Sequence, residues 1–208
     1  MDGQVLVWSL VTCVTRRHLP GREESSVGEV EPRYTWTQHS LPVTGLHLGH
    51  GPAHLARVVS CSSDMTVKVF SMSTGDMLLS VSFTSALSCV VMDNLETSVW
   101  VGDTAGHIHR ISLLSPPRDV CVSSDTCGAR TLVTGHTGAV TRISLSADSL
   151  SLVSGDSGGG VHLWDTVSGQ MIRSIPHKSG LTYLQFMLTP PALLDKDSWL
   201  PGTASFEL

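Results

Sequence analysis

Charge is scarce in this chain. Asp, Glu, Lys and Arg together make up 15% of its 208 residues, against about 25% in an average soluble protein. Sheets packed on sheets have little solvated face to decorate, so a low charge fraction suits stacked strands. Only three of the 13 basic residues are lysines and the net charge is −5. There is therefore no positive footprint for a phosphate backbone, and direct nucleic-acid binding is not expected. Long apolar runs are missing too: none approaches the ~18 residues of a membrane span, and no membrane role is expected. Residues 5–14 are apolar over about the length of a signal-peptide core, but Asp2 precedes them, Arg16 and Arg17 follow, and no A-x-A-like cleavage site appears. That run reads as strand. The five cysteines, Cys13, Cys61, Cys89, Cys121 and Cys127, are odd in number. Three lie in apolar strand-like runs, where a reduced Cys acts as a small hydrophobe, and the reading is a reducing compartment, cytosol or nucleus.

What is present is a repeat. Four segments end alike, with a tight polar turn and then an alternating apolar strand closing on an aromatic or branched residue: Asp2 to Trp8, Asp64 to Phe70, Ala105 to Ile111 and Gly158 to Trp164. Their first branched residues, Val5, Val67, Ile108 and Val161, lie 62, 41 and 53 residues apart. The middle value falls in the ~40–45-residue range of WD-repeat propeller blades. Period-two alternation bounded by Gly, Asp, Ser and Pro extends each copy into four strands. One predicted set is 41–48, 55–61, 66–72 and 77–83, with Gly75 in its last turn, where a short hairpin needs positive φ. The next is 87–92, 98–101, 107–113 and 130–134. The third is 139–145, 150–154, 161–166 and 171–175, and a further strand at 181–188 opens a blade that is not completed. The fold class expected is all-β: a partial propeller of four-stranded antiparallel blades over residues 1–188. Insertions at 16–32 and 115–128 lack periodicity and read as surface loops. Residues 189–208, with Pro190-Pro191 and Pro201-Gly202, read as an irregular tail.

Gly135-His136 stands 28 residues before Trp164, which resembles the entrance to a WD-repeat blade. In that family a His, a Ser or Thr on the second strand, a turn Asp and the Trp of the third strand form one hydrogen-bonded chain, and buried polar groups linked in this way specify the blade. By resemblance the structural positions are Asp2, Trp8, His39, Ser60, Asp64, Phe70, His136, Ser154 and Trp164. The pattern is eroded: Phe70 stands for a Trp and removes an indole donor, Gly158 stands where the third set should carry its Asp, and the Ile111 set has Ala105 there. Irregular blades held more by apolar packing than by polar networks are expected.

Rival chemistry is weak. Gly155-Asp156-Ser157-Gly158-Gly159 spells the nucleophile motif of trypsin-like serine proteases, but the settings that mark a catalytic His and Asp are missing, and a triad is recognised by its three roles. The same residues read as a hairpin turn. Ten histidines invite a metal site. His107 and His109 share a strand face and His47 and His50 flank a strand end, yet three or four converging ligands are needed, and no Cys or carboxylate shows a matching spacing. No catalytic residue, metal ligand or cofactor is assigned.

The stretches 5–10, 36–43, 63–69, 73–81, 135–141 and 161–165 resemble a WD-repeat subunit of the complex that matures the large ribosomal subunit. The resemblance implies a non-catalytic scaffold acting in processing of the pre-rRNA internal spacer, in nucleolus and nucleoplasm with cytoplasm as a second location. The partners it implies are a proline-, glutamate- and leucine-rich protein, a testis-expressed helical-repeat protein and the pre-ribosomal particle, with a SUMO protease and an RNA-processing factor in association. Alternatives from other classes are an unrelated WD-repeat adaptor, such as a ubiquitin-ligase substrate receptor or trafficking component, and the protease above. The resemblance also implies a ring of roughly seven blades and a charged helical tail. Three blades and fragments cannot close such a ring, so the expectation is a partial array that is not self-sufficient.

Overall fold

A computed structural model describes residues 3–9, 31–52, 55–115, 117–132 and 135–187. Asp2, residues 16–30 of the first insertion, Val133, Thr134 and the 189–208 tail lie outside them. The described residues form strands and no helix. β1 (Val5–Val7) and β2 (Tyr34–Trp36) make an antiparallel pair. The first blade runs β3 (Val43–Leu48), β4 (Arg57–Ser62), β5 (Thr66–Ser71) and β6 (Met77–Ser82). The second has β7 (Leu87–Met92), β8 (Ser98–Asp103), β9 (Ile108–Ser112) and, after β10 (Cys121–Ser123), β11 (Arg130–Leu132). The third has β12 (Val140–Leu145), β13 (Ser151–Asp156), β14 (Gly160–Asp165) and β15 (Met171–Pro176). Within each blade consecutive strands pair antiparallel, so the blades are meanders.

No blade has a core of its own. One apolar cluster joins Val59, Val67, Val69 and Val81 of the first blade to Leu87, Met92, Val99 and Ile111 of the second. Another joins Trp100, Ile108 and Leu132 of the second to Val140, Leu152 and Trp164 of the third. A smaller one joins Val5 and Trp36 to Val58 and Phe70. Strands covered on both faces are buried almost continuously, as in β8, where all six residues are buried. On β15 all six are exposed, Met171, Ile172 and Ile175 among them. Burial therefore follows stacking between sheets rather than anything within one sheet.

A repeated defect ties the blades. The first strand of each carries a β-bulge at the same place, where the register skips Thr44, Ser88 and Thr141. A bulge frees its residue from the ladder and re-aims the side chain. Thr44 Oγ1 donates to the Leu87 carbonyl at 2.8 Å, Ser88 Oγ to the Val140 carbonyl and Thr141 Oγ1 to the Leu181 carbonyl at 3.3 Å. Leu87 and Val140 open the first strands of the following blades, and Leu181 opens the segment that follows the third.

Two expectations need correction. Residues 181–187 are not a strand. They lie where the next innermost strand belongs, with the Thr182 carbonyl accepting from Arg142 and the Phe186 amide donating to Ser144 Oγ. Among the described residues no second strand flanks them, and a strand exists only through its ladder. The 115–128 insertion is not simply a loop: Cys121–Ser123 pairs parallel with β6 at Ser80, Val81 and Ser82, which gives the first blade a fifth, outer strand. β11 covers Arg130–Leu132 of the predicted strand at 130–134, whose last two residues lie outside the described residues.

Candidate functional site

In the third blade the bond between β12's entrance and the sheet is made by one buried chain. His136 Nε2 meets Ser154 Oγ at 2.6 Å, His136 Nδ1 meets Asp156 Oδ2 at 3.0 Å, and Trp164 Nε1 donates to Ser154 Oγ at 2.8 Å. Asp156, not a residue at Gly158, supplies the carboxylate, so this network is complete and the expected gap at Gly158 is corrected. The reason is strand length: β13 runs to Asp156, two residues beyond the predicted end, and its last side chain turns back under the loop. Burial alone would raise the Asp156 carboxyl, but the Gly160 amide and His136 hold it below its usual value. Burial lowers the His136 imidazole despite Asp156, so the ring is neutral at pH 7.

His136, Asp156 and Ser154 share the connectivity of a hydrolase triad, but Ser154 is 0% exposed and its hydroxyl already holds the indole. A nucleophile must be reachable and hydrogen-bonded to its base. Ser157, the serine of the protease-like motif, is exposed, and its amide donates to the Ala139 carbonyl in the turn. Gly159 there has φ 93°, and a Cβ on it would stand 2.4 Å from the His177 carbonyl. Gly159 thus serves a tight approach within the blade, between the start of β14 and the chain that leaves β15.

The first blade keeps part of the chain: His39 meets Ser60 Oγ at 2.8 Å and Asp64 Oδ2 at 3.0 Å, and Asp64 Oδ1 accepts from the Thr66 amide and hydroxyl. Phe70, 0% exposed, is stacked on Trp36 at 4.2 Å, and the Trp36 indole donates to the Gly75 carbonyl at 2.7 Å. Sequence reasoning missed Trp36's part, because it acts from β2 across a sheet boundary. Trp8, expected as the equivalent of Trp164, is 46% exposed; among the described residues its sheet holds only β1 and β2.

The second blade replaces the chain. By register Phe83, Val101 and Ile111 stand where His136, Ser154 and Trp164 stand in the third, and all three are buried. Asp103 occupies the place of Asp156. It accepts from the His107 amide on Oδ1 and faces His107, His109 and the Ser85 hydroxyl with Oδ2. Cys61 and Cys89 are buried in the same interfaces as free thiols, pushed up by burial to about 11 and about 12. As thiols rather than thiolates they pack as hydrophobes and are poor nucleophiles.

Between the second and third blades opens a groove of about 410 Å³ edged by Trp100, Arg110, Arg130, Thr166 and Met171. Arg110 lies over the Trp100 ring at 5.3 Å and donates to Ser98. Trp100 is buried beneath it, so the groove presents guanidinium groups, a type enriched at protein interfaces.

The family model for the WD domain, G-beta repeat, matches residues 30–71 and 128–165. The first and third blades match the WD repeat. The stretch between the two WD matches contains β7 to β9 of the second blade, where Phe83, Val101 and Ile111 replace the polar chain. WD repeat-containing protein 18 of Rattus norvegicus is 36% identical over 198 residues, which are 94% of this chain and 44% of that protein. The Homo sapiens protein of the same name is 36% identical over 200 residues. Pre-rRNA-processing protein IPI3 of Yarrowia lipolytica is 32% identical over 215 residues, covering 98% of this chain and 48% of that protein. The chain spans a little under half the length of these curated relatives.

Proposed function

We propose that this chain is a WD-repeat scaffold in maturation of the large ribosomal subunit, acting without catalysis in pre-rRNA spacer processing. The observation that carries the reading is alignment along nearly the whole chain with proteins named for pre-rRNA processing. The structure supports a scaffold in its own terms: the Ser–His–Asp chain is sealed inside a blade, and the outer groove offers Arg110 and Arg130 to a protein partner. The partners are protein subunits of a nuclear complex, a proline-, glutamate- and leucine-rich protein and a testis-expressed helical-repeat protein, together with the pre-ribosomal particle. With a net charge of −5 the chain reaches the particle through proteins rather than through RNA phosphates.

Affinity capture of the tagged chain from nuclear extract, followed by mass spectrometry, tests this. Large-subunit assembly proteins should dominate, and depletion of the protein should accumulate spacer-containing precursor RNA. Recovery of ubiquitin-ligase or vesicle-coat subunits in their place would refute the reading. Labelling of Ser157 by a fluorophosphonate probe would refute its non-catalytic part.

A further inference from the structure

Asp103, His107 and His109 meet at one point on the second blade, with a ligand atom of each within 4.8 Å of the others. We propose that these three residues bind a divalent transition-metal ion, Zn²⁺ by ligand type, as a staple on the β8–β9 hairpin. The spacing of the histidines alone left no carboxylate beside them. The fold supplies it from the last position of β8, four residues before His107.

The donor set is two imidazole nitrogens and one carboxylate oxygen, with room for a water, which is a common three-ligand zinc arrangement. Asp103 Oδ2 stands 3.2 Å from His107 Nδ1 and 3.3 Å from His109 Nε2. A tetrahedron with metal–ligand bonds of about 2.0–2.1 Å has edges of about 3.3–3.4 Å. Two of the three ligand edges are therefore already at that length and the His107–His109 edge lies within 4.8 Å; an ion would replace the two His–carboxylate hydrogen bonds on Oδ2, which also accepts from the Ser85 hydroxyl, each imidazole binding as the neutral base.

The ligands are held from behind. Asp103 Oδ1 is fixed by the His107 amide at 2.6 Å, which turns Oδ2 to the rings. His109 Nδ1 meets Thr131 Oγ1 at 3.0 Å and the ring packs on Phe83 at 4.9 Å. Such outer partners fix ring orientation and tautomer at metal sites. Access is from solvent: side-chain exposure is 45% for His107, 12% for His109 and 1% for Asp103.

The equivalent cluster in the third blade, His136, Asp156 and His162, is wholly buried, and both ring nitrogens of His136 are engaged in the Trp164 chain. That cluster needs no ion. The second blade lacks the chain, and an ion on Asp103 restores a polar tie at the same height in the stack.

The test is titration of the EDTA-dialysed full chain with Zn²⁺ by calorimetry and with Co²⁺ by visible spectroscopy. One equivalent should bind with a low-symmetry, strongly absorbing Co²⁺ spectrum, and the melting temperature should rise with Zn²⁺ concentration. His107→Ala, at a half-exposed position, should keep the circular dichroism of the parent and lose at least roughly tenfold in affinity, as expected for loss of a ligand where outer partners alone are worth that much. His50→Ala should leave binding unchanged. No binding by the parent, or parental affinity in His107→Ala, overturns the proposal.

Discussion

Residues in this protein act through position on the ladder more than through identity. Asp156 does the work expected of a turn Asp because β13 carries it past the predicted strand end, and Asp103 stands at the same height in the second blade. This gives a test that separates the two readings. If Gly158 were a gap in the network, Gly158→Asp would stabilise. In the structure a Cβ at Gly158 stands 3.4 Å from Asp156 Oδ1, so a second carboxylate is set against the first, and a loss of about 1 kcal/mol is expected by equilibrium denaturation. Ser154→Ala should cost more, about 2–3 kcal/mol, since His136 Nε2 and Trp164 Nε1 both lose their partner in a buried site. His39, Ser60, Asp64, His136, Ser154 and Trp164 were legible from offsets to the closing residue. Asp156 and Trp36 were not: the first depends on where a ladder ends, the second on which sheet lies next door.

Elements were legible where alternation and turn chemistry agree. β7 has the predicted bounds, and β3 to β6, β8, β9 and β12 to β15 fall within two residues of theirs. The misses share a cause. β10 has three residues and borrows its pairing from β6, while 181–187 carries the alternation of a strand without a ladder. Whether a segment pairs depends on what stands beside it, and no local pattern encodes that. The bulged hydroxyls are likewise invisible before the register is known. Thr44→Val and Ser88→Ala should each lower stability by about 1 kcal/mol, the usual net worth of a hydrogen bond. The two bonds cross different interfaces, so the double variant should lose about the sum. A strongly non-additive result in urea melts would mean that the interfaces are not separate units.

At the scale of the whole molecule, stability is the sum of contacts between neighbouring sheets. Its pH dependence follows from groups at those contacts. Burial lowers the imidazoles of His39, His109 and His136 below the usual 6.5, against the pull of Asp64, Asp103 and Asp156 respectively. The unfolded chain then binds more protons than the folded one below 6.5, so stability is full above that pH and falls as pH drops from it towards the folded values. Asp64, Asp103 and Asp156 are raised by burial but more strongly lowered by their hydrogen bonds, to below 3.8. Their contribution is lost in a second step as pH falls below 3.8. Thermal melts from pH 7.5 to pH 3 should show a fall beginning near 6.5 and a steeper one in acid; a flat profile down to pH 5 would mean that the imidazoles are not held neutral.

Amide hydrogen exchange followed by peptide mass spectrometry tests the stacking most directly. Peptides from β4, β5 and β8, covered on both faces, should be the slowest to exchange, and those from β15, exposed along its whole length, the fastest of the blade strands. Protection in β15 equal to that in β8, or uniform protection within each sheet irrespective of its neighbours, would contradict a core built between blades.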